Sequence, residues 1–253
     1  REALEHYDII KIFSRSEYPQ WKMQQDKIFQ DKRFRFVIGD IREKDRLSQC
    51  LRGVDCVIHC AALKHVALCQ QNPKEMSRTN IFGSSNVVDA CLEAGVKKSI
   101  AISSDKAVSA TTFYGASKFI TEGLFLNGNI YNGTKFSVLR SGNFTESRGN
   151  VLETWKGQAK TGEVTLTDEN MWRYFIPVKD VAKLLYVLLD VMEGQEIFVP
   201  KMVEYPMTDL LKGLYPDVKI KVTGKGTGEK LAEDLFFEDE KPEDMGDYWR
   251  VKA

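Results

Sequence analysis

No apolar run in this chain approaches the roughly 20 residues that a membrane-spanning helix requires; the best candidate, Leu184 to Leu189, is six residues long. Neither sign of charge is in excess, because Lys and Arg total 36 and Asp and Glu also total 36. That balance argues against nucleic acid or an anionic membrane as the principal partner, since both are held by a basic surface. No C-x-x-C pair occurs, and the five cysteines (Cys50, Cys56, Cys60, Cys69 and Cys91) are odd in number. This pattern argues against a disulfide framework and for free, mostly buried thiols in a reducing, cytoplasmic setting. Histidine is scarce, with three in the chain. Cys60, His65 and Cys69, with His59 nearby, could be drawn as a zinc set. However, strand alternation turns His59 away from the face shared by Cys56, Ile58 and Cys60, and no metal is expected. The chain opens at Arg1, with no signal peptide expected there.

The remainder is an ordinary globular composition. Of 253 residues, 43% are hydrophobic and 28% charged, which suits one large domain with a smaller lobe. Short apolar runs alternate with longer amphipathic stretches. Strands are expected at Ile9 to Phe13, Phe34 to Ile38, Val54 to Ile58, Ser99 to Ser103 and Phe136 to Leu139. Helices are expected from the first strand up to Lys32, over Asp45 to Leu51, over Pro73 to Glu93 with Gly95 as the stop, and over Tyr114 to Asn129. Strands without polar alternation, separated by helices, imply a parallel sheet covered on both faces. The fold class is therefore doubly wound α/β. After Asn150 the pattern loosens, leaving one helix (Lys179 to Met192) and short strands near Ile197 to Val199 and Lys219 to Val222. Residues 1–150 are read as the sheet domain and 151–253 as the smaller lobe. The acidic run Glu238-Asp239-Glu240 with Glu243-Asp244 reads as a solvated surface segment.

Doubly wound sheets bind ligands beyond the carboxyl ends of their strands. Ser14-Arg15-Ser16 follows the first strand, where dinucleotide-binding sheets meet the adenosine ribose. An arginine there suits a 2′-phosphate, or is simply a surface residue. Gly39-Asp40-Ile41 ends the next strand, where a carboxylate could take the adenine amino group. Ser103-Ser104-Asp105-Lys106 ends the fourth strand as a dense polar cluster. Tyr114 and Lys118 then form Y-x-x-x-K on one helical face, a nearby ammonium being expected to lower the tyrosine pKa into the range of a usable base. The same spacing recurs at five other tyrosines, so the motif alone carries little. Only Tyr114 opens a helix just after a strand-end polar cluster. Thr223 to Lys230 is glycine-rich but fails the P-loop pattern, because Glu229 precedes Lys230 and Leu231 follows it. A nucleotide-sugar loop and an ordinary turn both fit.

Phe36 to Arg42, Gly53 to Val66, Ser103-Ser-Asp-Lys-Ala107 with Tyr114-Gly-Ala-Ser-Lys118, Gly142-Asn143, Ser147-Arg-Gly149, Glu196 to Lys201 and Gly228-Glu-Lys230 together resemble the extended short-chain dehydrogenase/reductases. More narrowly they resemble the UDP-N-acetylglucosamine 4,6-dehydratases, and Tyr114 favours the type that inverts C5. The resemblance implies a Rossmann domain over residues 1–150 that binds NADP, and a lobe over residues 151–253 that binds the nucleotide sugar. The family's first strand and Gly-rich turn are absent from this chain and are read as truncated sequence. The implied cofactor contacts are Ser14, Arg15, Ser16, Asp40, Ile41, Cys60, Ala61, Ala62, Lys64, Asn80, Ile102, Ser103, Tyr114, Lys118 and Phe144. The implied contacts to UDP-N-acetylglucosamine are Lys64, Lys106, Asn143, Arg148, Gly149, Val151, Arg173, Lys225 and Glu229. Lys225 stands in for a family arginine whose place Gly226 occupies, and Ser104 replaces a family threonine.

The implied reaction is an internal redox cycle with loss of water. Tyr114 takes the C4 hydroxyl proton, Lys106 removes the C5 proton and Asp105 protonates the departing C6 hydroxyl. Lys118 holds the nicotinamide ribose, and Ser104 orients the C4 oxygen. A homo-oligomer is expected. The rival activities are a C5-retaining dehydratase and a nucleotide-sugar 4-epimerase, and the non-enzymatic rival is an inactive NADP-binding scaffold.

Overall fold

The computed structural model describes residues 2–252. Its strands are β1 (Ile10–Ser14), β2 (Phe34–Ile38), β3 (Cys56–His59), β4 (Lys98–Ser104), β5 (Lys135–Ser141), β6 (Asn143–Phe144), β7 (Glu163–Leu166), β8 (Trp172–Ile176), β9 (Glu196–Pro200), β10 (Val203–Pro206), β11 (Lys219–Val222), β12 (Glu243–Asp244) and β13 (Tyr248–Lys252). The helices are α1 (Ala3–His6), α2 (Glu17–Gln24), α3 (Lys44–Leu51), α4 (Val66–Gln71), α5 (Pro73–Met76), α6 (Gly83–Ala94), α7 (Phe113–Gly128), α8 (Val151–Gln158), α9 (Val178–Val191) and α10 (Met207–Leu214).

The main sheet runs β12-β13-β9-β5-β4-β3. Its strands β3, β4, β5 and β9 are parallel, while β13 and β12 are antiparallel additions at one edge. β1 and β2 form a separate parallel pair, and no strand among the described residues lies between β1 and β3 in the hydrogen-bonding order. Lys11 Nζ ties that pair to the body of the domain through the carbonyls of Cys50 and Arg52.

Central strands alternate their apolar side chains between two cores, as a period of two demands. Ala101, Val138, Ile197 and Val199 pack under α3, α6 and α7, whereas Ile100, Leu139 and Phe198 pack under α9. Both faces are covered, which is why these strands read as continuous apolar runs. A third core, with Trp155, Val164, Phe175 and Leu211, joins α8, β7, β8 and α10 in the smaller lobe.

Three expectations change here. A cut at Asn150 does not separate the sheets, because α9, β9 and β13 all lie beyond it and belong to the large domain. The single helix expected over Pro73 to Glu93 is broken by a wider π turn at Ser77–Phe82. There the Asn80 carbonyl accepts from the hydroxyls of Ser84 and Thr121, and its side chain brackets both the N–H and the carbonyl of Leu63. The acidic run is not wholly solvated. Arg140 on β5 is fully buried, and its guanidinium grips Glu122 and Glu240, so Glu240 is drawn inward to balance a buried charge. Burial alone would weaken that charge, but the two carboxylates outweigh it and raise the Arg140 pKa. Gly95, at φ +69°, ends α6 in the left-handed conformation, as expected.

Candidate active site

β4 ends at Ser104, and a tight turn over Asp105–Ala107 begins there because the Ser104 hydroxyl accepts from the Lys106 N–H. α7 starts at Phe113, where the Thr112 side chain caps the Gly115 N–H. The helix and the turn approach so closely that a Cβ on Gly115 would sit 2.2 Å from the Lys106 carbonyl oxygen. This contact sets Tyr114 beside the Asp105–Lys106 turn. Both line a cavity of about 460 Å³ between the large sheet and the smaller lobe.

Asp105 is fully buried behind the cavity. Its Oδ1 accepts from the Ser104 hydroxyl at 2.9 Å and from Lys106 Nζ at 3.0 Å, while Oδ2 has no partner among the described residues. A second carboxylate, Glu233, places Oε1 3.4 Å from Lys106 Nζ. Burial works against the charge on Lys106, but Asp105 and Glu233 outweigh it and raise the amine's pKa, against an opposing influence from Arg173. Tyr114 departs from expectation. Burial raises its pKa despite the Lys106 ammonium and the Ser104 hydroxyl. Lys118 does not supply the expected lowering, because its amine donates to the Ile102 carbonyl, and burial lowers its own pKa to about 8.

The cavity wall includes Cys60, Ala62, Lys64, Ile102, Ser103 and Phe144 from the expected cofactor set, along with Tyr114 and Lys118. From the expected substrate set it includes Lys64, Lys106, Asn143, Gly149, Val151, Arg173 and Glu229. Lys64 donates to the Ser147 hydroxyl and to the Arg148 carbonyl. Asn143 donates to the Tyr174 carbonyl, and Arg173 to the carbonyls of Trp172, Lys230 and Leu231. The Glu229 carboxylate accepts from the Gly226 N–H.

Other expected residues lie apart. Asn80 is buried and acts on the Leu63 backbone, while Ala61 and Arg148 are exposed beside the wall rather than on it. Lys225 is exposed and does not line the cavity. Ser14, Arg15, Ser16, Asp40 and Ile41 cluster at the ends of β1 and β2. There the Arg15 guanidinium is 3.9 Å from Asp40, and Arg42 grips the same carboxylate at 2.7 Å. Burial opposes the Asp40 charge, but Arg42 and then Arg15 hold its pKa below the ordinary value. Ile41 is buried, and Ser14 accepts from the Gln20 amide.

Glu233 was not among the expected residues. The recognisable motif stops at Lys230, and the contact joins positions far apart in the chain. His59 is buried, hydrogen-bonded to Ser84 and stacked on Phe125, and burial lowers its pKa to about 3. Three of the five thiols are buried, whereas Cys60 opens to the cavity.

A nucleotide cofactor fits these residues on one observation. The Ser103 hydroxyl on the cavity wall is buried without a partner among the described residues, so a polar ligand there would satisfy it.

The sequence profile of the polysaccharide biosynthesis protein family matches residues 3–253. The chain is 42% identical over 244 residues to the UDP-N-acetylglucosamine 4,6-dehydratase (inverting) of Campylobacter jejuni, covering 94% of this chain and 72% of that protein. It is 34% identical over 253 residues to the UDP-glucose 4-epimerase of Rickettsia canadensis, covering 96% of this chain and 73% of that one. The crystal structure of Pen from Bacillus thuringiensis superposes with a TM-score of 0.93 at 33% identity, covering 97% of this chain and 81% of that chain.

Proposed function

The chain belongs to the polysaccharide biosynthesis protein family, and from that membership we propose that it is an NADP-dependent UDP-N-acetylglucosamine 4,6-dehydratase that inverts C5. The observation that carries the reading is the Asp105–Lys106 pair, whose carboxyl oxygen and amine lie 3.0 Å apart, with Lys106 and Tyr114 lining one cavity and Asp105 buried next to Lys106. Elimination across one carbon–carbon bond needs an acid and a base together, whereas epimerisation at C4 needs neither at C5 and C6. The adjacency therefore favours dehydration over the epimerase reading.

Arg15 and Lys118 would hold NADP, which when bound would supply a hydride acceptor for C4 and a hydride donor for C6. Tyr114 accepts the C4 hydroxyl proton, and the Ser104 hydroxyl orients that oxygen. A proton moving from Lys106 Nζ to Asp105 across their contact leaves a free amine and a neutral acid in one step. Lys106 then removes the C5 proton, which the C4 ketone has acidified. Asp105 gives its proton to the departing C6 hydroxyl, releasing water, and a proton reaching the opposite face of C5 inverts it.

The test is incubation with UDP-N-acetylglucosamine in deuterium oxide. Wild type should incorporate deuterium at C5 and release a 6-deoxy-4-ketone of inverted configuration. Lys106→Ala should still reduce the nicotinamide but leave C5 unexchanged, and Tyr114→Phe should lose both signals. Formation of the C4 epimer without water loss, or retention at C5, would replace this reading with one of its rivals.

We place the activity in a homo-oligomer in the cytoplasm. Exposed Phe82, Phe119 and Ile120 around α6 and α7, together with the free thiols, support this. No helix among the described residues is long and apolar enough to cross a membrane. Light scattering that gave a fully active monomer at micromolar concentration would remove the oligomer.

A further inference from the structure

The amine of Lys106 meets two carboxylates, and only Asp105 belongs to its own turn. Glu233 reaches it from residues 228–242, a stretch without regular secondary structure that is fixed by side-chain ties. Arg173 on β8 holds the carbonyls of Lys230 and Leu231. Lys230 Nζ donates to the Val108 carbonyl, and Arg140 holds the Leu235 carbonyl and Glu240. These ties bring Glu233 to the cavity wall with 7% of its surface exposed. Its Oε1 lies 3.4 Å from Lys106 Nζ and its Oε2 3.9 Å from Lys230 Nζ. A buried carboxylate is costly unless a cation answers it. Of the two cations, Lys106 is the nearer.

We propose that Glu233 is a positioning residue for the C5 base, orienting the Lys106 amine and stabilising the ammonium that forms there. The inference rests on the dehydratase reading above. When the Nζ lone pair takes the C5 proton, the C–H electrons pass into the C4 ketone as an enolate. A positive charge then appears on Nζ, 3.4 Å from the Glu233 carboxylate. The carboxylate of a Ser-His-Asp triad serves its histidine in the same way. The groups facing Lys106 are Asp105 on its turn, Glu233 on the 228–242 segment, Arg173 on β8 and Tyr114 on α7, while Lys230 lies against the other oxygen of Glu233. The raised pKa of the amine agrees with two anions outweighing its burial and Arg173.

The experiment compares Glu233→Gln with Glu233→Asp in the whole protein. C5 exchange into UDP-N-acetylglucosamine should fall about 100-fold in Glu233→Gln, with KM held within about threefold and the NADPH signal of the first oxidation retained. Glu233→Asp keeps the charge and should recover part of the rate. Without substrate, the Lys106 titration read by carbon-13 lysine NMR should move about one pH unit lower in Glu233→Gln, because removing an anion frees the proton. An unchanged midpoint with unchanged exchange overturns the inference. Equal loss of exchange in both variants with an unchanged midpoint overturns it too, since Glu233 would then only pack. A shifted midpoint in a protein whose wild type never exchanges C5 strikes the dehydratase reading and leaves the hold of Glu233 on Lys106 standing.

Discussion

Arg15 extends from the end of β1 with more than half of its side chain exposed, tethered only loosely to Asp40. It is free to meet a phosphate in a way that the doubly gripped Arg42 is not. Arg15→Ala should therefore weaken NADP+ binding by about tenfold or more while leaving NAD+ nearly untouched, as isothermal titration with both cofactors would show. Lys118 gives a pH test. Burial, offset only in part by Cys60 and Glu122, lowers its pKa to about 8 in the folded protein, against roughly 10.4 when unfolded. Below pH 8 both states carry the proton and the fold bears the whole penalty of a buried charge. Between those two values the unfolded state binds more protons, so stability rises with pH. Urea melts should accordingly show the stability difference between wild type and Lys118→Met shifting toward wild type across that window, by roughly 3 kcal/mol at most. The residue types were legible because polar side chains stand directly after buried strands at Ser103 to Lys106. The protonation of Tyr114 was not, since it depends on burial and on where the Lys118 amine is spent.

At the scale of elements, the contact of α7 with the Asp105–Ala107 turn decides the site. Alanine is the better helix former by about 1 kcal/mol, yet a Cβ at Gly115 meets the Lys106 carbonyl at 2.2 Å and the Ala110 Cβ at 3.2 Å. The clash should win. Gly115→Ala is expected to cost about 1–3 kcal/mol in stability and to lower kcat more than its melting temperature would suggest, because Tyr114 and Lys106 move apart. Thermal melts and steady-state rates on one sample check both. Short β-branched and aromatic runs were readable even on half-buried or exposed strands, and Phe34–Ile38 and Lys219–Val222 match their expected bounds. β8 was not readable. Arg173 interrupts its apolar run and is buried only because distant carbonyls receive its guanidinium. The π turn at Ser77–Phe82 was equally hidden, since its reason is the reach of Asn80 toward Leu63 and not its own sequence.

At the scale of the whole molecule, Arg140 joins the large sheet to the 228–242 segment. Arg140→Leu leaves Glu122 and Glu240 without their cation and should cost about 3–5 kcal/mol, read by chemical denaturation. Adding Glu122→Gln should recover part of it. Such long-range ties explain why the division at Asn150 was drawn from a change in pattern and yet α9, β9 and β13 return to the first sheet. Only the folded chain shows which partner a buried charge finds. Lys64 links the loop after β3 to the loop after β6, its ammonium already taken by Ser147 and the Arg148 carbonyl. Under the nucleotide-sugar reading proposed above, a diphosphate taken by Lys64 displaces those internal ligands, and association is then an exchange of partners and not a simple encounter. Its observed rate in stopped flow should level off at high ligand concentration, at the rate with which Lys64 lets go of its own loop.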